Sequence, residues 1–127
     1  MKRQTAQWVR KAEDDWKGAL DLAARKPPLR DLACFHCQQA AEKYLKALLQ
    51  ELGAAVPRTH DLHRLLLLLL PHDPTVRPLT RGLRSLTRYA VEYRYPSERA
   101  TTKQMQSALR TAGRVRKELR VRLGLPA

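Results

Sequence analysis

The segment "ACFHCQQAAEKYLKALL", Ala33 to Leu49, decides how the rest of the chain is read. It places Cys34, His36 and Cys37 within four residues, a density that suits a metal centre, a redox pair or the buried face of a helix. Spacing separates the three. Positions 34, 37, 41, 45, 48 and 52 hold Cys, Cys, Ala, Leu, Leu and Leu, in steps of three or four. Such steps return to one face of a helix, so both thiols fall on the leucine stripe. A free cysteine packs there as a small hydrophobe. A structural zinc needs four ligands, usually as two separated pairs. The chain has no second CxxC, and His60, His63 and His72 lie far off in sequence. His36 projects about 100° away from Cys37 on a helix. A thioredoxin-like pair needs its first cysteine at a helix N-terminus after a strand. Cys34 falls about one turn inside its helix, with no strand before it. The stretch is read as a buried helix face, with no metal and no cofactor.

Outward from this helix the same periodicity continues, and strand signals are weak. The central helix should run from about Arg30 to Leu52, with Gly53 as its C-terminal stop. Before it, a helix from about Thr5 to Arg25 lines up Trp8, Ala12, Trp16, Ala19, Leu20 and Ala23, and "KPPL" at Lys26 to Leu29 ends it. After it, Thr59 could cap a short helix over about Asp61 to Leu70, with Asp61 favoured in the first turn. A fourth helix, about Arg77 to Tyr93, buries Leu79, Leu83, Leu86 and Ala90, and Pro96 breaks the chain after it. "TTKQ" has the capping-box form, Thr101 to Gln104. It starts a last helix over about Thr102 to Leu123 that buries Met105, Ala108, Leu109, Ala112, Val115 and Leu119. The expectation is one all-α domain over residues 1–127, an antiparallel up-and-down bundle of four long helices and one short one.

The 127 residues suffice for a single core, and 43% hydrophobic content excludes a disordered chain. The opening "MKRQTAQWVRKAEDDW" has no apolar h-region. The leucine run 65–70 is too short for a bilayer. A soluble, cytoplasmic protein without membrane contact is expected. The formal net charge is +13. Beyond residue 53 stand 15 Lys and Arg against 5 Asp and Glu, so +10 of the excess lies in the second half. A face so basic suits a nucleic acid, a nucleotide or an acidic protein. Arginine spread over solvated surfaces in a high-GC or thermophilic genome is the plain alternative. The leucine run cannot all face one core on a helix of ten residues, so part of it should be exposed or meet a partner. A homo-oligomer is expected, most simply a two-fold dimer.

"FHCQQAAEKYLKALL", followed by "PRTHDLHRLL" and then "YAVEYRYP", resembles the HEPN domain family, and "WVRKAEDDWKGALDLA" is similar to that family's opening helix. The resemblance spans about residues 7 to 120 and implies a helical bundle that often dimerises and acts near nucleotides or RNA. It also implies a small nucleotidyltransferase partner in many members and, in toxin members, metal-independent RNA cleavage through an R-x4-6-H motif shared across a dimer. His would act as acid or base, and Arg would steady the phosphate charge. This chain departs from that pattern. Arg94 is followed by "YPSERATTKQ" and Arg99 by "ATTKQMQ", with no His beyond His72. Only Arg58 and His63, in "RTHDLH", satisfy the spacing, and they lie at the entry to the short helix.

For binding, "EYRYP" offers Tyr93 and Tyr95 to stack on a base and Arg94 to hold a phosphate. Tyr93 also continues the apolar stripe 79, 83, 86, 90, and Arg94 could pair with Asp14 or Asp15. Arg99 follows, and Arg110, Arg114 and Lys117 share a face of the last helix that could track phosphates. His36 is read as half-buried with a hydrogen-bond partner, and His60 with Asp61 as helix capping. The leading function is a non-catalytic nucleotide- or RNA-binding module, with a nucleotidyltransferase partner as in toxin–antitoxin pairs. The alternatives are a metal-independent ribonuclease toxin using Arg58 and His63, and a structural protein-interaction module.

Overall fold

A computed structural model of the chain describes residues 1–90 and 95–127. Among the described residues every regular element is helical, in the order α1 (Arg3–Ala24), α2 (Arg30–Glu51), α3 (Leu62–Leu69), α4 (Thr80–Thr87) and α5 (Thr102–Arg122). Two 3₁₀ segments, Pro74–Leu79 and Arg88–Ala90, flank α4. The all-α bundle expected from periodicity is the architecture found.

Local chemistry sets most boundaries where the sequence puts them. The pair Pro27 and Pro28 follows α1, and Gly53 after α2 takes φ +75°, a left-handed conformation that favours glycine. Thr101 and Gln104 form a reciprocal capping box at the start of α5, with Gln104 N–H donating to Thr101 Oγ1 at 3.1 Å and Thr101 N–H to Gln104 Oε1 at 2.8 Å. The cap of α3 falls to one of the two residues expected to supply it. Asp61, not Thr59, is the N-cap, and its carboxylate accepts from the backbone N–H groups of His63 and Arg64. Thr59 Oγ1 instead accepts from Asp61 N–H at 3.2 Å. The carboxylate wins because it adds favourable charge at the positive helix end.

The fourth helical region is composite. Pro74 and Pro78 lack N–H groups, so residues 74–79 wind as a 3₁₀ segment before the chain relaxes into α4. Its sequence-predicted end at Tyr93 falls outside the described residues. Leu79, Leu83 and Leu86 are buried, and Ala90 is half-buried.

The central helix is α2, which packs against α1, α3, α4 and α5. Cys34, Cys37, Ala41, Leu45 and Leu48 all lie in the core, as the opening stripe implies. On α1 the core face holds Val9, Ala12 and Ala19, with Trp8 and Trp16 packed at its margin. Leu20, expected inside, is 44% exposed, and Asp15 is buried in its stead. The stripe of α1 is rotated toward Asp15, whose carboxylate receives two partners from α2. On α3, Leu65, Leu66 and Leu69 are buried while Leu67 and Leu68 face outward. An ideal Cβ on Gly82 would lie 2.7 Å from Thr111 Cγ2, so this glycine lets α4 and α5 approach closely.

Candidate functional site

Three polar clusters tie α2 to its neighbours. In the first, Asp15 on α1 receives His36 Nδ1 at 2.8 Å and Lys43 Nζ. In the second, Glu42 is 3% exposed and takes Lys46 Nζ at 3.0 Å, His60 Nδ1 at 2.8 Å and Gln38 Nε2 at 3.3 Å. Gln38 also donates to the His60 carbonyl at 3.0 Å, which fixes the loop before α3. His60 therefore binds Glu42 and leaves capping to Asp61. In the third, Arg116 Nε and Nη2 reach Glu13 at 2.7 Å each, a two-pronged clamp from α5 to α1. Tyr44 donates to the same carboxylate, and Arg120 Nη1 donates to the Tyr44 hydroxyl at 3.1 Å. The Arg116 guanidinium, with help from the Tyr44 hydroxyl, holds the Glu13 carboxyl below its ordinary range. Burial, then the Glu13 contact, pushes the Tyr44 hydroxyl up to about 12. Burial likewise raises the Cys34 thiol to about 11 and the Cys37 thiol to about 12. Protonated, buried thiols are poor nucleophiles and poor ligands.

These clusters divide the basic residues of α5 into two sets. Arg116, Arg120 and Arg122 turn inward: Arg116 and Arg120 to Glu13, and Arg122 to Asp73 and Glu118. Lys103, Arg110, Arg114 and Lys117 are exposed, and among the described residues none of them forms an ion pair. The clamps neutralise one face and leave the other bare.

A cleft of about 390 Å³ opens between the α1–α2 connection and the stretch that enters α5. Pro27, Pro28, Leu29 and Leu32 supply an apolar wall, and Arg30 and Arg99 supply positive charge beside the carboxylate of Asp31. Its two sides are pinned together. Arg30 Nε donates to the Ala100 carbonyl at 2.7 Å, and Ala100 N–H donates to Asp31 Oδ1 at 2.6 Å. The Arg30 terminal nitrogens and the exposed Arg99 remain available to an anion. Tyr95 is 66% exposed in the segment leading to Arg99. An apolar wall beside two guanidinium groups can take a flat, anionic molecule.

The sequence-predicted residues distribute unequally. Arg99 lines the cleft, and Arg110, Arg114 and Lys117 share the outer face of α5. Tyr93 and Arg94 lie outside the described residues. Asp15, a suggested partner for Arg94, is engaged by His36 and Lys43. Arg58 is exposed, and His63 Nε2 lies 3.3 Å from Arg84 Nη2. A guanidinium only donates, so Nε2 is the acceptor in that contact. Among the described residues, no group of three His, Cys, Asp or Glu side chains is arranged to hold a metal ion. Sequence reasoning missed Arg30 and the α2 polar row. Gln38, Glu42 and Lys46 repeat every four residues beside the leucine stripe, and that spacing was the available signal.

The HEPN domain pattern matches residues 5–122. The chain belongs to the HEPN domain family. Two solved structures share its fold at low identity. The crystal structure of TT1696 from Thermus thermophilus superposes with a TM-score of 0.82 at 26% identity, covering 94% of this chain and 98% of that one. The crystal structure of ST0689, an archaeal HEPN homologue, superposes with a TM-score of 0.74 at 27% identity, covering 97% and 99%. A comparison with curated proteins returns no match. HEPN membership points to a nucleotide-binding or ribonuclease-like module in general terms. Among the described residues of this HEPN chain, no helix is long and apolar enough to cross a membrane.

Proposed function

We propose that this HEPN domain is a non-catalytic nucleotide- or RNA-binding module. The observation that carries this reading is the division of α5, whose outward Arg110, Arg114 and Lys117 have no acidic partner among the described residues. Arginine and lysine left bare beside neutralised neighbours present a phosphate-binding surface. The cleft beside Arg30 and Arg99 suits a mononucleotide or an RNA end, with Tyr95 close by in sequence as a stacking group. Arg94 and Tyr93 join this set on the sequence reading alone. The domain acts as a homodimer, for which exposed Leu67 and Leu68 on α3 offer an apolar contact. A nucleotidyltransferase-type partner, as in toxin–antitoxin pairs, belongs to the same reading.

The ribonuclease alternative rests on Arg58 and His63, whose sequence spacing is what supports it. Two assays test the pair of readings. End-labelled RNA incubated with the protein in EDTA should be retarded in a native gel and remain uncut. Cleavage that disappears in His63→Ala would replace this reading with a metal-independent ribonuclease. In calorimetry with a mononucleotide, Arg99→Ala should weaken binding several-fold, and unchanged affinity would remove the cleft from the site.

A further inference from the structure

A second basic row runs from the 3₁₀ segment Pro74–Leu79 into α4, which packs against the α5 that carries the first row. From Pro74 to Ala90 the chain has no acidic residue. Arg77, Arg81 and Arg84 recur at spacings of four and three, all exposed, on the side opposite buried Leu79, Leu83 and Leu86. Arg84 Nη2 lies 3.3 Å from His63 Nε2, and among the described residues Arg84 forms no ion pair with an acid. Gly82 meets Thr111 where α4 and α5 touch. Helices in contact have axes about 8–10 Å apart, so the two rows of positive charge stand on neighbouring helices. The α5 track from Lys103 to Lys117 is about 21 Å long at 1.5 Å per residue.

We infer that these two rows form a docking face for double-stranded RNA, one row along each strand's phosphates. The inference deepens the RNA-binding reading and rests on it. Three features favour a duplex of RNA over other polyanions. The outward positions of α4 and of the α5 row carry no aromatic side chain, so unpaired bases find no stacking platform there. Two tracks match two phosphate chains flanking a groove, whereas a single strand needs one. Near the contact the two helices carry exposed Ser85, one turn beyond Gly82, and exposed Ser107, one turn before Thr111. Hydroxyls beside the rows can pair with the 2′-hydroxyls that line the wide, shallow minor groove of A-form RNA, and DNA lacks those groups. The face reads backbone and sugar, so recognition is independent of sequence.

The test is fluorescence anisotropy over a range of salt concentrations. The probes are a labelled RNA duplex of about two helical turns, the DNA duplex of the same sequence and one isolated RNA strand, each with polyglutamate as competitor. The variants are Arg77→Gln with Arg81→Gln for one row, and Arg110→Gln with Arg114→Gln for the other. All four sites are exposed or half-exposed, and thermal melts establish that each variant is folded. The duplex RNA should bind more tightly than the DNA duplex and the single strand. Each double variant should lower the slope of log affinity against log salt by roughly 2, from a loss of about 0.9 per phosphate contact. A loss confined to the α5 variant would overturn the two-row face. Tighter binding of the single strand would overturn it while preserving the RNA-binding reading. Failure of every nucleic acid, with polyglutamate bound instead, would overturn both and make the face a site for an acidic protein.

Discussion

At the scale of single residues, the most consequential side chain is Glu42, buried on α2 against Lys46, His60 and Gln38. Removing one member of a buried ion pair costs more than removing both, because the survivor keeps its desolvation penalty without its partner. Lys46→Met should therefore destabilise the domain by about 1–3 kcal/mol in urea unfolding, since Glu42 keeps His60 and Gln38 as partners. Glu42→Leu combined with Lys46→Met should recover most of that loss, and failure to recover would mean that the ion pair itself supplies net stability. The Lys46 ammonium also lies over Trp8, with Nζ 5.6 Å from the ring centre, so the methionine variant loses a cation–π contact as well. The sequence announces the cysteines and leucines of α2 through spacing alone. It announces the Gln38, Glu42 and Lys46 row only as a polar stripe, since a single chain does not say that α1 and the loop before α3 will cover that side. His36 is legible as a half-buried histidine, but its partner Asp15 comes from a helix 21 residues away.

At the scale of elements, the boundaries that follow from local chemistry are the ones the sequence states well. The capping box at Thr101, the glycine after α2 and the proline pair after α1 each act within a few residues. The composite fourth region is less legible, because helical periodicity of leucines tolerates a 3₁₀ segment at one end. The division of α5 into inward and outward arginines is half legible. Spacing groups Arg110, Arg114 and Lys117, but the engagement of Arg116 depends on Glu13, 103 residues earlier. The α4–α5 contact is invisible in sequence, since an isolated glycine in a helical pattern has many uses. Gly82→Ala should lower stability by about 1–3 kcal/mol through crowding against Thr111. The companion change Thr111→Ala should restore part of it. A thermal melt unchanged in the single variant would mean that the two helices separate at little cost.

At the scale of the whole molecule, stability and binding draw on the same charges. Glu13 and Asp73 have carboxyls held below their ordinary values of 4.5 and 3.8, Glu13 chiefly by Arg116 and Asp73 chiefly by Thr75 with help from Arg122. A depressed folded-state value contributes stability that is full above the ordinary value and is lost as pH falls through the folded one. Urea midpoints should thus decline as pH drops below about 4.5, and Glu13→Gln should lower the neutral-pH midpoint and flatten part of that decline. An identical acid limb in the variant would remove the α1–α5 clamp from the stability account. The net charge of +13 opposes compaction, and the inward clamps offset that repulsion while the outward rows keep it available to a partner. The central claim is that this bare charge binds RNA phosphates. Its most direct measurement is the affinity of the protein for a short labelled RNA at a series of salt concentrations, beside the variant Arg110→Gln, Arg114→Gln, Lys117→Gln. The account predicts a steep linear fall of log affinity with log salt, made shallower by roughly 2 in the variant. Affinity indifferent to salt, or the same slope in both proteins, would contradict it.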